Sequence, residues 1–120
     1  MTPVLLGNSF PLSLIRRPVR IEPRPLEELR EAVADRGVVS FWGHANTLTA
    51  ARQILGFDPA PAVQRPAVSL SAAQRPVLDG QEFEEVWVLS PDYHTGFRPE
   101  LGREVPMEAL LGWQVLRISF

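Results

Sequence analysis

The chain has 120 residues, with 12 basic and 14 acidic side chains, a net charge of −2 and no cysteine. This length is typical of a single domain, residues 1–120, with a core of its own. The absence of cysteine excludes disulfides and thiolate metal sites. Long nucleic acid is a poor partner for such a chain, because affinity for a polyphosphate grows with the number of phosphates neutralised. All basic residues are arginine, which excludes a nucleotide-hydrolysing phosphate loop, since that loop needs lysine.

The hydropathy pattern predicts no association with a membrane. No run of 18 apolar residues occurs, so no membrane-spanning helix is expected. The first residues lack the basic-then-apolar order of a secretory signal. Together with the absence of cysteine, this pattern predicts a cytoplasmic protein.

The first strands and the first helix are predicted in the opening third of the chain. Residues 4–7 form a short apolar run that predicts a buried strand, and residues 18–22 alternate so that Val19 and Ile21 are expected to point inward. A helix then follows Pro25, a residue suited to the first turn, and ends at Gly37. Its apolar face is predicted from the spacing of four residues: Leu26, Leu29, Ala32 and Val33.

The middle of the chain predicts a strand followed by a second helix. Residues 38–42 are apolar except for Ser40, which is typical of a central strand covered on both faces. Asn46 or Thr47 is expected to cap the next helix, and Gly56 to end it. The buried stripe of this helix is predicted to comprise Leu48, Ala51, Ile54 and Leu55.

The second half of the chain predicts mainly strands. Residues 57–66 contain three prolines and predict an irregular connection, and residues 90–103 predict a polar loop. Residues 105–111 predict a short helix with Pro106 at its start. The expected strands are 67–70, 83–89 and 113–120. The order of elements predicts an α/β (α+β) fold: a single mixed β-sheet of about five strands with helices packed on it.

His44 is the first candidate for chemistry, because it lies between the apolar run and the second helix. Free backbone N–H groups at a helix start can receive a phosphate, and the small Gly43 allows a close approach. An imidazole beside that phosphate could donate a proton to a leaving oxygen. The alternative is a histidine that only satisfies a loop carbonyl, and spacing alone does not decide between the two.

Two further groups of polar residues follow predicted strands. Asn8 and Ser9 end the first strand at a tight turn, where such residues hold a ligand or only shape the turn. Arg98 could clamp a phosphate, and Glu100 could orient a histidine or a ribose hydroxyl. A metal site formed by His44 with the Asp92 and His94 segment is disfavoured, since the spacing matches no recurring ligand pattern. No metal and no cofactor are therefore expected.

Three segments in the first 70 residues carry a resemblance to a known family. Residues 7–10 (GNSF), residues 40–51 (SFWGHANTLTAA) and Arg65 resemble the viral ring nucleases. These are the type III anti-CRISPR proteins of archaeal viruses, phages and some bacterial elements, formerly a family of unknown function. The turn at residues 98–102 (RPELG) departs from the family pattern, because Arg98 and Glu100 stand two residues apart where the family usually has three.

The resemblance implies a specific activity. Family members are homodimers that bind cyclic tetra-adenylate, a cyclic oligoadenylate second messenger, between the protomers and cleave it without a metal or cofactor. The ribose 2′-hydroxyl attacks the adjacent phosphate and leaves a 2′,3′-cyclic phosphate. By resemblance His44 is the general acid and Glu100 a second catalytic residue. The implied ligand-binding residues are Asn8, Ser9, Gly43, Asn46, Thr47, Arg65 and Arg98.

Two alternatives stay open beside the ring nuclease. A non-catalytic sponge would hold a cyclic nucleotide in the same pocket without cutting it. A protein-interaction module would bind no nucleotide at all. The aromatic residues Trp42, Trp87, Tyr93 and Trp113 do not discriminate, because burial in the core is their commonest fate.

Overall fold

A five-stranded mixed sheet forms the centre of the computed structural model, which describes residues 2–43, 45–62, 66–100 and 102–120. Its strands are β1 (Val4–Gly7), β2 (Arg20–Pro23), β3 (Val38–Ser40), β7 (Glu85–Tyr93) and β8 (Leu110–Ser119). The sheet has the order β2-β8-β7-β1-β3, and β8 runs antiparallel to both of its neighbours. Strands β1, β3 and β7 run parallel to one another. The predicted mixed sheet with packed helices is confirmed.

A second sheet of three short strands was not predicted. It has the order β4-β5-β6, with β4 (Ser69–Leu70), β5 (Pro76–Leu78) and β6 (Gln81–Glu82). Asp79 and Gly80 connect β5 to β6, and both have positive φ angles, 52° and 78°. An Asp-Gly pair with this backbone is the tight hairpin turn that matches the twist of two antiparallel strands. This dipeptide was the available sequence signal for the hairpin.

Two helices cover one face of the five-stranded sheet. They are α1 (Leu26–Arg36) and α2 (Leu48–Leu55), and each ends at a glycine with positive φ, Gly37 and Gly56, as predicted. The core beneath them contains residues from both helices and from four strands or their ends: Val4, Leu6, Leu29, Val33, Trp42, Ala51, Leu55, Trp87, Leu89 and Val115. Within the described residues, no helix is both long enough and apolar enough to cross a membrane.

The opposite face of the sheet is covered by the small sheet and by aromatic residues. Strands contribute alternate side chains to the two faces, so Leu5 lies on this side while Val4 and Leu6 lie on the helical side. The core on this face contains Leu5, Phe41, Leu78, Phe83, Val86, Val88 and Ile118. The sheet is therefore buried on both faces.

Two strand predictions on the first half of the chain were wrong in position. The strand β3 ends at Ser40 and lies at the edge of the sheet, whereas residues 38–42 were predicted to form a central strand. In β2, Ile21 is 48% exposed although it was expected to point inward. This strand also lies at the edge of the sheet, so the alternation of apolar and polar residues along it does not predict which side chains are buried.

Two predictions on the second half were wrong in type. Residues 90–93 belong to β7 and not to a loop. Residues 105–111 do not form a helix: Pro106 precedes a single 3₁₀ turn, Met107–Ala109, and β8 begins at Leu110. The long pairing of β7 with β8 explains both errors, because it satisfies the backbone groups of both segments as sheet.

Candidate functional site

The carboxyl ends of three parallel strands meet at one edge of the sheet and border a cleft. Strand β1 lies between β3 and β7, so the residues that follow Gly7, Ser40 and Val88 come together there. The cleft has a volume of about 360 Å³. It is lined by Asn8, Asn46, Thr47, Pro91, Tyr93, Pro99 and Glu100. Four of these seven were predicted site residues, and they come from three separate parts of the chain.

Asn8 joins the ends of all three parallel strands. Its side-chain oxygen Oδ1 accepts a hydrogen bond of 2.9 Å from the backbone N–H of Gly43, which follows β3. Its backbone oxygen accepts a hydrogen bond of 3.1 Å from the hydroxyl of Ser90 in β7. The predicted residues Asn8 and Gly43 are therefore in direct contact. These two bonds fix the position of Asn8 at the rim of the cleft.

Gly7 allows the chain after β3 to pack closely on β1. A Cβ atom placed on Gly7 would lie 2.2 Å from Cε2 of Phe41, far inside van der Waals contact. Phe41 is almost fully buried. Any side chain at position 7 would therefore displace the Phe41 ring and the segment that leads to Gly43.

Thr47 has a structural role that differs from the predicted cap. The second helix is preceded by a 3₁₀ turn, Ala45–Thr47, and Thr47 occupies the N-cap position without a capping side-chain bond. Its hydroxyl instead accepts a hydrogen bond of 3.2 Å from Nε1 of Trp42. Both residues are buried, with exposed fractions of 4% and 3%. The predicted position of the cap is confirmed for Thr47, but no side-chain capping bond forms, because the Thr47 hydroxyl accepts from the indole instead.

The second wall of the cleft is formed by the loop at residues 94–106, described except for residue 101. The backbone N–H of His94 donates to Ala109 at 3.0 Å, and that of Val105 donates to the carbonyl of Asn46 at 2.8 Å. The hydroxyl of Thr49 donates to the carboxylate of Glu104. The loop is thus attached both to the start of β8 and to the start of α2.

Glu100 lines the cleft, whereas Arg98 does not. Glu100 lines the cleft and also borders a neighbouring groove of about 300 Å³, in which Arg98 lies. The Glu100 carboxylate is 3.4 Å from Nε of Arg103, and both side chains are exposed. Arg98 is exposed and does not line the cleft. The predicted residue Ser9 is also exposed. It follows the cleft residue Asn8 in the sequence but does not line the cleft.

Two predicted site residues, His44 and Arg65, lie outside the described residues. The residues before and after position 44 are described. Gly43 is bonded to Asn8, and Asn46 lines the cleft.

Tyr93 is a cleft residue that was not predicted as part of the site. It is the last residue of β7 and follows a register shift, since Asp92 pairs with Gly112 and Tyr93 with Leu110. Burial raises the pKa of its hydroxyl above the ordinary value of 10.0. The sequence signal that could have identified it is the alternation of side chains after Leu89, which continues the strand as far as Tyr93. Pro91 obscured that pattern, because proline is unusual inside a paired strand.

The described titratable side chains do not form a metal centre. Over residues 2–43, 45–62, 66–100 and 102–120, no group of three or more histidine, aspartate or glutamate side chains is arranged to hold a metal ion. The candidate chemistry of the described cleft consists of amide, hydroxyl, phenol and carboxylate groups. These groups can orient a polar ligand by hydrogen bonds.

The fold and the cleft define a class: a small α+β protein with a candidate site at the carboxyl edge of its parallel strands. No protein-family model matches the chain, and no curated protein matches its sequence. Among solved structures, the fold is similar to that of B116 of Sulfolobus turreted icosahedral virus, with a TM-score of 0.60. The similarity covers 98% of this chain and 99% of that chain at 14% sequence identity. A likeness at this identity establishes the shared fold.

Proposed function

We propose that this chain is a metal-independent ring nuclease that degrades cyclic tetra-adenylate and so counteracts type III CRISPR signalling in the cytoplasm of an infected cell. The observation that carries the proposal is the cleft itself. It gathers Asn8, the pair Asn46 and Thr47, and Glu100 from distant parts of the sequence. These are positions to which the resemblance assigns ligand binding or catalysis. A fold shared with a virus protein agrees with this proposal.

The proposed reaction uses the substrate's own ribose as nucleophile. The 2′-oxygen forms a bond to the adjacent phosphorus and releases its proton to water, while the bond from phosphorus to the 5′-oxygen breaks. His44, as general acid, donates its proton to the departing 5′-oxygen, and the product ends in a 2′,3′-cyclic phosphate. An ordinary histidine titrates near neutral pH and so has a protonated fraction available. Such help is typically worth about 10² to 10⁴ in rate.

Positioning is the proposed role of the remaining cleft residues. Asn8, held by Gly43 and Ser90, and Asn46 at the start of α2 present amide groups to a nucleotide. Hydrogen bonds from a fixed wall hold the 2′-hydroxyl in line with the phosphorus, which is a large source of rate enhancement. In the neighbouring groove Arg98 would contact a phosphate of the next nucleotide, and Arg65 a further phosphate.

We propose that the working unit is a homodimer. A cleft of about 360 Å³ is near the lower end of ligand-site volumes, which start at roughly 300 Å³. It has room for about one nucleotide, so a ring of four needs surface from a second copy. At the start of β8, where Leu110 pairs with the cleft residue Tyr93, Leu111 is 69% exposed, and Met107 in the preceding turn is 42% exposed. Exposed apolar side chains grouped near a site are typical of an interface.

A cleavage assay with matched histidine variants tests the proposed activity. Labelled cyclic tetra-adenylate is incubated in EDTA with the wild-type protein, His44→Ala and His94→Ala. The chain has two histidines, and His94 is exposed and does not line the cleft. We expect cleavage to fall about 100-fold or more in His44→Ala and to be unchanged in His94→Ala. Equal loss in both variants, or no cleavage by wild type, would contradict the proposal.

Sequestration without cleavage is the second candidate function. The pairing of Glu100 with Arg103 favours it, because the carboxylate proposed to be catalytic is already engaged by a guanidinium. A sponge would bind labelled cyclic tetra-adenylate tightly in equilibrium dialysis and release it intact. Binding that is unchanged by His44→Ala, with no product after long incubation, would favour the sponge over the nuclease.

A further inference from the structure

Tyr93 provides the aromatic surface of the cleft. It lines the cleft from the end of β7, together with Asn46 and Thr47. The side chain is partly buried. Its ring contacts that of Phe97, with centroids 5.2 Å apart and the planes inclined at 42°. The phenol is thus supported by a second ring and lines the cleft.

We infer that Tyr93 is a stacking platform for a purine base, and that it selects the base of the nucleotide bound in the cleft. This inference rests on the proposed function, since it concerns the ligand of the same site. A flat aromatic ring beside amide and hydroxyl groups is the combination that holds a nucleobase, whose faces are apolar and whose edges are polar. A two-ring purine covers more of the phenol than a one-ring pyrimidine does.

The surroundings of Tyr93 hold the platform in place before a ligand arrives. The turn that carries Phe97 is closed by a bond from the N–H of Phe97 to the carbonyl of His94, at 3.1 Å. The N–H of His94 in turn donates to Ala109 at 3.0 Å. Pro91 and Pro99 add rigid apolar surface to the cleft. A ring that is already fixed loses little conformational entropy on binding, which favours affinity.

The electrostatic state of the phenol is compatible with a phosphate ligand. Burial raises the pKa of Tyr93 above 10.0, so the hydroxyl is neutral at physiological pH. A neutral phenol does not repel a phosphate, and it can donate a hydrogen bond to a phosphate oxygen or to a base nitrogen.

Binding measurements on two substitutions test the platform. Tyr93→Phe keeps the ring, and Tyr93→Leu removes it; both are made in the His44→Ala background so that the ligand stays intact. We expect cyclic tetra-adenylate to bind Tyr93→Phe within a few-fold of the parent. We expect Tyr93→Leu to bind about 10- to 100-fold more weakly. Equal affinity of the two variants, with both folded by circular dichroism, would overturn the inference.

Nuclear magnetic resonance separates the platform from the proposed function. The chain has one tyrosine, so its ring signals are assigned without ambiguity. Adenosine 5′-monophosphate is expected to shift these signals upfield by stacking, whereas ribose 5-phosphate is expected to leave them in place. A shift with adenosine monophosphate but no binding of cyclic tetra-adenylate would support the platform and contradict the ring nuclease. Binding of cyclic tetra-adenylate without any shift of the tyrosine signals would support the proposed function and contradict the platform. No response to either ligand would overturn the platform and the ring nuclease together.

Discussion

The two walls of the cleft are attached to the protein in different ways. The first wall, which carries Asn8, Asn46 and Thr47, stands on the ends of β1 and β3 and on the start of α2. The hydroxyl of Thr47 bonds to the buried indole of Trp42, and the amide oxygen of Asn8 accepts from the backbone N–H of Gly43. The second wall, which carries Pro99 and Glu100, is an exposed loop whose ion pair with Arg103 lies in solvent. Exposed pairs of this kind contribute at most about 1 kcal/mol.

This difference assigns different tasks to the two walls. A wall that belongs to the core holds its polar atoms in one geometry, which is what the alignment of a reacting phosphate requires. A wall formed by a surface loop tolerates substitution and changes of length, and it is where related proteins change their ligands. The first wall is therefore expected to govern stability and positioning together, and the second to govern ligand choice.

Gly7→Ala should break the first wall most severely. The added Cβ would collide with the buried ring of Phe41 at 2.2 Å, so the ring and the chain to Gly43 must move. We expect the free energy of unfolding to fall by about 3 kcal/mol, measured by urea denaturation. The control is Gly112→Ala, because a Cβ there meets no atom within 4 Å. Similar stability of the two variants would contradict the packing described for Gly7.

Thr47→Val should have the next largest effect. Valine keeps the shape of threonine but cannot accept the hydrogen bond that Nε1 of Trp42 donates, so this buried bond is lost. We expect a loss of about 2 kcal/mol in the free energy of unfolding. Thr49→Val is the matched control, because Thr49 is exposed and bonds to the exposed Glu104. This control should lower the free energy of unfolding by about 0.5 kcal/mol or less. Equal losses in the two variants would mean that the first wall is no more firmly attached to the core than the second.

Glu100→Gln should leave the folded state nearly unchanged. Its ion pair with Arg103 is exposed on both sides, so the change in the free energy of unfolding is expected within about 0.5 kcal/mol. Cleavage of cyclic tetra-adenylate by the same variant then reports on catalysis alone. A fall in activity without a fall in stability would place Glu100 in the reaction. A loss of more than 1 kcal/mol would show that the second wall is bound to the core more firmly than its contacts indicate.

Alkaline pH should produce the smallest effect, through Tyr93 at the end of β7, from which the loop of the second wall begins. Burial raises the pKa of Tyr93 in the folded protein above its unfolded value of 10.0, so the folded state holds this proton more tightly. The associated stability is present below pH 10 and is lost as the pH rises from 10 through the folded pKa. In urea titrations across this range, Tyr93→Phe should show a shallower decline than the wild type. Parallel curves would mean that the phenol is as solvated in the folded protein as in the unfolded chain.

Local signals predicted the helical side of the fold well. The apolar run at β1 and the helix α1, bounded by Pro25 and Gly37, appear where the sequence places them. The run at residues 38–42 was misleading, because only Val38–Ser40 form a strand. Phe41 and Trp42 follow it and enter the cores on opposite faces of the sheet. An apolar run therefore does not distinguish a central strand from an edge strand that is followed by two buried rings.

The site was predictable in its residues but not in its arrangement. Asn8, Asn46 and Glu100 were identified from turns and from resemblance, whereas their meeting in one cleft depends on the parallel order of β3, β1 and β7. No local pattern specifies that order. Tyr93 was missed because Pro91 obscured the end of β7. Proline is tolerated there, since the pairing with β1 extends to Val88, so β7 has a free edge beyond that residue.

The loop at residues 94–106 is closed at both ends by backbone bonds, from His94 to Ala109 and from Val105 to Asn46. Its length can therefore change without moving the strands or α2, because the ends stay joined while the interior adjusts. Lengthening such a loop costs little, since the entropy of closure grows only with the logarithm of its length. Arg98 and Glu100 both lie inside this closed segment. Loops of other lengths, grafted between these two anchoring bonds, are therefore expected to give folded proteins. A changed loop is expected to change the ligand preference of the cleft.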